Sequence, residues 1–290
     1  MFRVPAALGL LFVIACNHRA PTSGNLVDDA GVAASLSTPP RRIVSLIPVT
    51  TELVFALGAG ARLVGRTRWC DYPPEAARVP DLGDGIAPNL EAVLGARPDL
   101  VLVYRSGANR AAAGRLRQLG IPVLELTTDR IEDLARITRL LGRGLGIEAR
   151  AESLVAAVEA DLASATRAAG PAAGRPTVFL LAWTRPPLTL GRGSFLSEVV
   201  ERAGARNLFD DLSVPSGPVS VEAVAARDPD WILTSSPGLP AVARQEEWQV
   251  VRAVRERRFL RVEGSEFNRP SPRIGGAVRR LAAALDSASR

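Results

Sequence analysis

Apolar positions along this chain form short blocks of two kinds, and the kinds alternate. Continuous apolar runs rich in β-branched residues occur at Ile43–Ile47, Leu63–Val64, Leu100–Tyr104, Ile121–Leu126, Thr177–Leu181, Trp231–Thr234 and Phe259–Val262. Runs of this length predict buried strands. Between them, apolar residues return at helical spacing over 50–57, from Leu90, over 109–119, over 195–202, over 246–255 and from Ser271. Pro73-Pro74 and Pro186-Pro187 stop regular structure, so Trp69–Pro74 and Trp183–Gly193 read as loops. Alternating strands and helices predict an α/β fold with mainly parallel sheets.

One segment breaks the alternation. From 131 to 168 no strand pattern appears, and Leu134, Ile137, Leu140, Leu141, Leu154, Val155, Val158 and Leu162 keep helical spacing. No glycine interrupts the stretch from Ile147 until Gly170. A helix of about 20 residues is ~30 Å long, enough to run across the back of two lobes.

Two lobes are expected because the chain repeats itself. Asn89-Leu90-Glu91-Ala92-Val93 through Pro98-Asp99-Leu100-Val101-Leu102 returns as Ser220-Val221-Glu222-Ala223-Val224 through Pro229-Asp230-Trp231-Ile232-Leu233, at a constant offset of 131 residues. That period is the size of a domain and too long for a solenoid. The reading is an N-terminal lobe over 41–130, a helical connection over 131–170 and a C-terminal lobe over 171–290. Each lobe presents a carboxylate, Glu91 or Glu222, at the start of an equivalent helix. Paired lobes bind ligands in the cleft between them.

The start of the chain reads as a targeting segment. Arg3 precedes the apolar run Ala6–Ala15, which has signal-peptide length and is too short to span a bilayer. The run ends in Val13-Ile14-Ala15-Cys16, which resembles a bacterial lipobox. Residues 1–15 are therefore expected to be removed, Cys16 to carry lipid, and 16–40, rich in Ala, Ser, Pro and Gly, to be a flexible tether. An ordinary secretory signal followed by a chance cysteine is the alternative.

Composition removes several classes of function. The formal net charge is +6, yet every basic residue except His18 is arginine, and the arginines are scattered among acids. Nucleic-acid binding would gather them on one face. Without lysine, no phosphate-cradling Gly-x-x-x-x-Gly-Lys loop can exist. His18, the sole histidine, lies in the tether, which excludes histidine-dependent triads and histidine metal sites in the folded lobes. With Cys16 lipidated, Cys70 has no disulfide partner.

Several residues together resemble the cobalamin-binding proteins of ABC importers, members of a periplasmic-binding group that also takes siderophores and haem. They are Arg42-Ile43-Val44-Ser45-Leu46, Thr51-Glu52-Leu53, Asp71-Tyr72-Pro73-Pro74, Asn89-Leu90-Glu91, Pro98-Asp99-Leu100-Val101, and Phe267 with Ser271-Pro272-Arg273-Ile274. The resemblance covers about residues 41–286. It implies two α/β lobes joined by one rigid helix, with little closure. The implied ligand is a corrinoid bound between the lobes by Trp69, Tyr104, Trp183, Leu188, Phe267 and Arg269. Phe267 equally suits a core, and Trp69 and Tyr104 suit an ordinary loop and strand end. Glu91 and Glu222 would meet arginines of an ABC permease dimer, which works with its ATPase subunits; the helix dipole would also favour both glutamates where they stand. No catalytic residue, cofactor or bound metal ion is expected. The expected protein is a monomer, outside the cytoplasm, held to a membrane by lipid.

The chain departs from this pattern in places. Gly85 and Ser216 stand where the cobalamin binders have tryptophans, and Ala203 stands at a cysteine position. Three alternatives remain open. A siderophore or haem receptor would line the cleft with Arg66, Arg68, Arg105 and Arg185. A cell-envelope enzyme would use a carboxylate pair such as Asp71 and Asp84. An orphan binding module would serve no transporter.

Overall fold

The computed structural model describes residues 25–168, 174–234 and 240–288, so the leader and Cys16 lie outside the described residues. The first lobe opens with a hairpin, β1 (Asn25–Val27) and β2 (Ala33–Ser35). It continues through β3 (Ile43–Ser45), α1 (Pro48–Ala56), β4 (Leu63–Arg66), α2 (Leu90–Gly95), β5 (Leu100–Tyr104), α3 (Gly107–Gln118) and β6 (Val123–Leu126). Its sheet has the order β4-β3-β5-β6, all parallel, with Ile43 opposite Leu100 and Leu102 opposite Leu124.

Helices α4 (Ile131–Leu145) and α5 (Glu148–Ala168) follow. The second lobe contains β7 (Thr177–Thr184), β8 (Pro187–Leu190), α6 (Phe195–Arg202), β9 (Arg206–Asn207), β10 (Ser216–Pro218), α7 (Val221–Arg227), β11 (Trp231–Thr234), α8 (Arg252–Arg255), β12 (Phe259–Arg261) and α9 (Ile274–Ala288). Strands β9, β7, β11 and β12 pair in parallel, in the order of the first lobe's sheet. Antiparallel β8 and β10 extend the sheet from the far half of β7.

The strands read as unbroken apolar runs because both sheet faces are covered. Alternate residues go to opposite faces. Ile43, Leu100, Leu102, Leu124 and Leu126 pack towards α1 and α4, while Val44, Val101, Val103 and Val123 pack under α2 and α3. Cutting Leu102 to alanine would cost about 2–5 kcal/mol. The first of these clusters runs without a break from lobe to lobe, through α4, α5 and α9.

Gly146, in the left-handed conformation at φ 69°, ends α4 and lets α5 fold back along it. The two helices approach closely at Gly142, where an added Cβ would lie 2.4 Å from the Ala151 Cβ. Helix α5 has 21 residues and packs on α4 of one lobe and α9 of the other. No helix among the described residues is long and apolar enough to cross a membrane.

Three expectations are corrected. Residues 25–40, read as tether, include the β1–β2 hairpin, which packs against the first lobe with Leu26 and Leu36 buried. Its turn is held by the Asp28 carboxylate, which accepts from the backbone N–H groups of Ala30 and Val32. Residues 183–193, read as loop, contain the β7–β8 hairpin; Pro186 and Pro187 sit at its tip and first position, where the ladder needs no N–H. The helix read over 246–255 is a single 3₁₀ turn, Glu246–Val250, followed by the short α8. Val251 is extended between them, and buried Trp248 packs 6.0 Å from the Phe179 ring.

Candidate functional site

A cleft of about 790 Å³ opens between the lobes. Its walls come from the carboxyl ends of the central strands, where α/β folds place ligands. The first lobe contributes Leu46 after β3, Trp69 and Gly85 from the segment after β4, and Tyr104 at the end of β5. The second contributes Leu181 of β7, Phe195 at the start of α6, Ser216 of β10 and the Ser265–Pro270 segment after β12.

Of the residues singled out in the sequence, Trp69, Tyr104, Phe267 and Arg269 lie on this wall, whereas Trp183 and Leu188 do not. Trp69 is exposed on the cleft wall. Phe267 is buried, with the Arg280 guanidinium 5.0 Å above its ring, so only part of it meets the cleft. The Tyr104 hydroxyl donates to Asp129 at 2.8 Å. Burial first, then this bond and the Asp129 charge, push the phenol up to about 12. Asp129, Thr128 and Phe195 also line the wall and were missed. Phe195 was within reach, because Ser194 caps α6 by accepting from Ser197 and so fixes the first residue of the helix at the cleft.

Below the cleft the lobes are tied by charge. Glu52 on α1 is buried and accepts from Arg269 Nε at 2.9 Å and from Arg273 Nε and Nη2 at 3.0 and 2.9 Å. Arg269 also pairs with Asp71. Arg273 reaches Glu266 at 2.6 Å and lies 3.9 Å over the Tyr72 ring. Partial burial works against the Asp71 charge, but the Arg269 hydrogen bond and charge outweigh it and hold the carboxyl below its ordinary value. Cys70 is buried beside this network against the Thr51 and Thr67 hydroxyls, 3.2 Å from each. The cation of Arg269 is thus committed inside the protein.

The doubled sequence element builds the same structure twice. Asn89 caps α2 by accepting from Ala92, and Ser220 caps α7 by accepting from Ala223, each at 3.1 Å. Glu91 and Glu222 stand exposed in the two first turns. After each helix, the residue before proline takes a left-handed conformation: Arg97 at φ 46° and Asp228 at φ 45°. The aspartate that follows the proline then holds the entry of the first strand, in chain order, of the lobe's parallel sheet, β3 or β7. Asp99 accepts from Arg41 and Arg42 N–H, and Asp230 accepts from Thr177 N–H.

Known proteins share this architecture. The vitamin B12-binding protein of Pectobacterium carotovorum subsp. carotovorum is 29% identical over 251 residues, covering 86% of this chain and 90% of the relative. An uncharacterized ABC transporter substrate-binding lipoprotein of Bacillus subtilis, YvrC, is 30% identical over 270 residues, covering 89% of this chain and 84% of its own. Among solved structures, the periplasmic heme-binding protein RhuT from Roseiflexus sp. RS-1, in apo form, superposes with a TM-score of 0.77 at 28% identity, over 86% of this chain and 99% of that one. The family model for periplasmic binding proteins matches residues 43–264. A cleft between two similar α/β lobes, a rigid helix behind it and this match lead to one conclusion: the chain belongs to the periplasmic binding protein family.

Proposed function

We propose that this protein is a lipid-anchored, extracytoplasmic receptor that captures cobalamin or a related corrinoid and delivers it to an ABC importer. The character of the cleft carries the reading. Its walls are largely apolar, with Trp69, Tyr104, Phe195 and Phe267 among them, and several of its charged and polar groups are already partnered (Asp71 with Arg269, Tyr104 with Asp129, Asp84 within its own turn), which suits a large planar ligand with amide arms. An anionic chelate would need converging cations. Of Arg66, Arg68, Arg105 and Arg185, Arg68 alone lines the cleft among the described residues. Arg66 is spent on the carbonyls of Ala76 and Thr67, and Arg185 pairs with Glu247.

Haem would need an iron ligand. Among the described residues the cleft wall holds no His, Cys or Met, and the Tyr104 hydroxyl is already engaged as a donor to Asp129. Membership in a family of binding proteins answers the enzyme alternative. Asp71 is held by Arg269, and Asp84 caps its own turn by accepting from Ile86 N–H.

Glu91 and Glu222 are the proposed contacts with the permease. Exposed pairs contribute little energy, about 0–1 kcal/mol each, but complementary charge sets orientation and association rate. The lipid on Cys16 would keep the receptor at the membrane; Cys16→Ser should move it to the soluble fraction.

Calorimetry of the folded domain with cyanocobalamin, cobinamide, haemin and a ferric siderophore tests the ligand. Binding of either corrinoid, with no heat from haemin, is expected. Silence with both corrinoids would remove the ligand assignment and leave the fold intact. Uptake of radiolabelled cyanocobalamin should fail in a Glu91→Arg, Glu222→Arg variant that still binds the vitamin.

A further inference from the structure

Trp183 has no place on the cleft wall, yet at 61% exposure it is the most exposed aromatic side chain among the described residues. We infer that Trp183 is an apolar anchor by which the second lobe seats on the membrane subunit of an ABC permease, beside the contact made by Glu222. The inference rests on the transporter reading proposed above.

Position carries it first. Trp183 lies opposite Leu188 on β8, and Leu188 lies opposite Pro218 on β10. Neighbouring strands are about 4.8 Å apart, so Trp183 and Pro218 are separated by roughly 10 Å. Val219 N–H donates to Pro187 at 3.0 Å, Ser220 then caps α7, and Glu222 follows in its first turn. The indole and the carboxylate therefore share one end of the second lobe.

Local structure carries it further. The indole N–H donates to the Arg185 carbonyl at 2.9 Å, and the Arg185 guanidinium reaches Glu247 at 3.6 Å. The polar atom of the ring is thus satisfied within the hairpin tip, and what faces outward is apolar. A side chain held this way loses little freedom when a partner covers it. A lone surface valine is ordinary. An indole fixed at a hairpin tip beside an exposed carboxylate has the anatomy of an interface centre, where tryptophan dominates and charge forms the rim. The matching partner offers an apolar seat next to a cation, and the cation is what a permease surface that receives Glu222 must present.

The anchor is one-sided. Among the described residues, strand β3, the first-lobe counterpart of β7, has no hairpin extension like β8 and β10. The exposed apolar side chains near Glu91 are aliphatic, Ile86 and Leu94, whereas Glu222 has an indole on its side of the molecule.

The test uses the cognate permease–ATPase complex in lipid nanodiscs and the receptor without ligand, so docking is read apart from corrinoid binding. Trp183→Ala should dissociate about tenfold faster, equal to ~1.4 kcal/mol, with association little changed. Trp183→Phe should recover part of the loss. Glu222→Arg should instead slow association, most at low salt. Calorimetry with cyanocobalamin should give Trp183→Ala the wild-type affinity within about twofold. Wild-type docking by Trp183→Ala, or a parallel loss of cyanocobalamin binding, overturns the inference. A wild-type chain that fails to dock overturns the transporter reading itself, and shows it without any substitution.

Discussion

Glu52 and Arg269 are 217 residues apart in the chain and 2.9 Å apart in space, one on each lobe. With Arg273 closing the other side of the same carboxylate, the pair joins the lobes beneath the cleft. Removing Glu52 would leave Arg269 with Asp71 and Arg273 with Glu266, but would take the shared buried counter-charge from between the two guanidinium groups. Glu52→Ala should therefore cost about 3–5 kcal/mol in urea unfolding, more than a surface ion pair could explain. A loss under about 1 kcal/mol would mean that the lobes are held by α5 and the shared apolar cluster alone.

The same network gives the protein an acid limit. Asp71 has a folded pKa below 3.8, so its contribution is complete above that value and is lost as pH falls through the lower one. Wild-type stability should drop on acidification below about pH 4 more steeply than that of Asp71→Asn, measured by denaturant unfolding at each pH. Parallel curves would show that Asp71 does not couple to folding.

Gly85 and Ser216 stand where relatives are expected to carry tryptophan, but they are not equivalent. Gly85 has φ +84°, and a Cβ there would meet the Leu46 carbonyl oxygen at 2.6 Å. Gly85→Trp should destabilise by at least about 2 kcal/mol and restore no binding. Ser216 is exposed on the cleft wall, with room for a ring. Ser216→Trp should fold normally and tighten cyanocobalamin binding about three- to tenfold in calorimetry, by giving the corrin a second flat wall. Weaker binding would place the ligand elsewhere in the cleft.

Asp28 ties the N-terminal hairpin to the first lobe. Its side chain is fully buried and accepts from Arg117 at 2.7 Å and from the Glu125 N–H at 3.0 Å, besides holding its own turn. Asp28→Ala should lower the thermal midpoint, with a loss of about 2–4 kcal/mol. Deleting residues 25–36 should cost at least as much, because Leu26 and Leu36 are buried with the main cluster.

Much of this was legible because the chain repeats itself. The caps Asn89 and Ser220, both helix starts and the paired aspartates Asp99 and Asp230 can be read off the 131-residue offset, since each copy supports the other. Cleft residues at strand ends, such as Tyr104, were legible for the same topological reason. The hairpins were not. At 25–35 the strands are three residues each, in a composition that also suits a tether, and the turn depends on one aspartate. At 183–190 two prolines masked a strand pair whose tip needs no ladder donor. Trp183 was misplaced with its hairpin. The Glu52 network was out of reach, because sequence separation says nothing about which charges meet.

Strand β6 is the outermost member of the first sheet. Its outward N–H of Glu125 and the N–H of Thr127 just beyond it are taken by the carboxylates of Asp28 and Asp29, and the Glu125 carbonyl accepts from Asp29 N–H. A second molecule seeking to add a strand at this margin finds the hairpin in its place and no spare donor at these positions. The hairpin is thus a stopper against edge-to-edge aggregation, and a chain shortened past it should precipitate sooner than it loses its ligand.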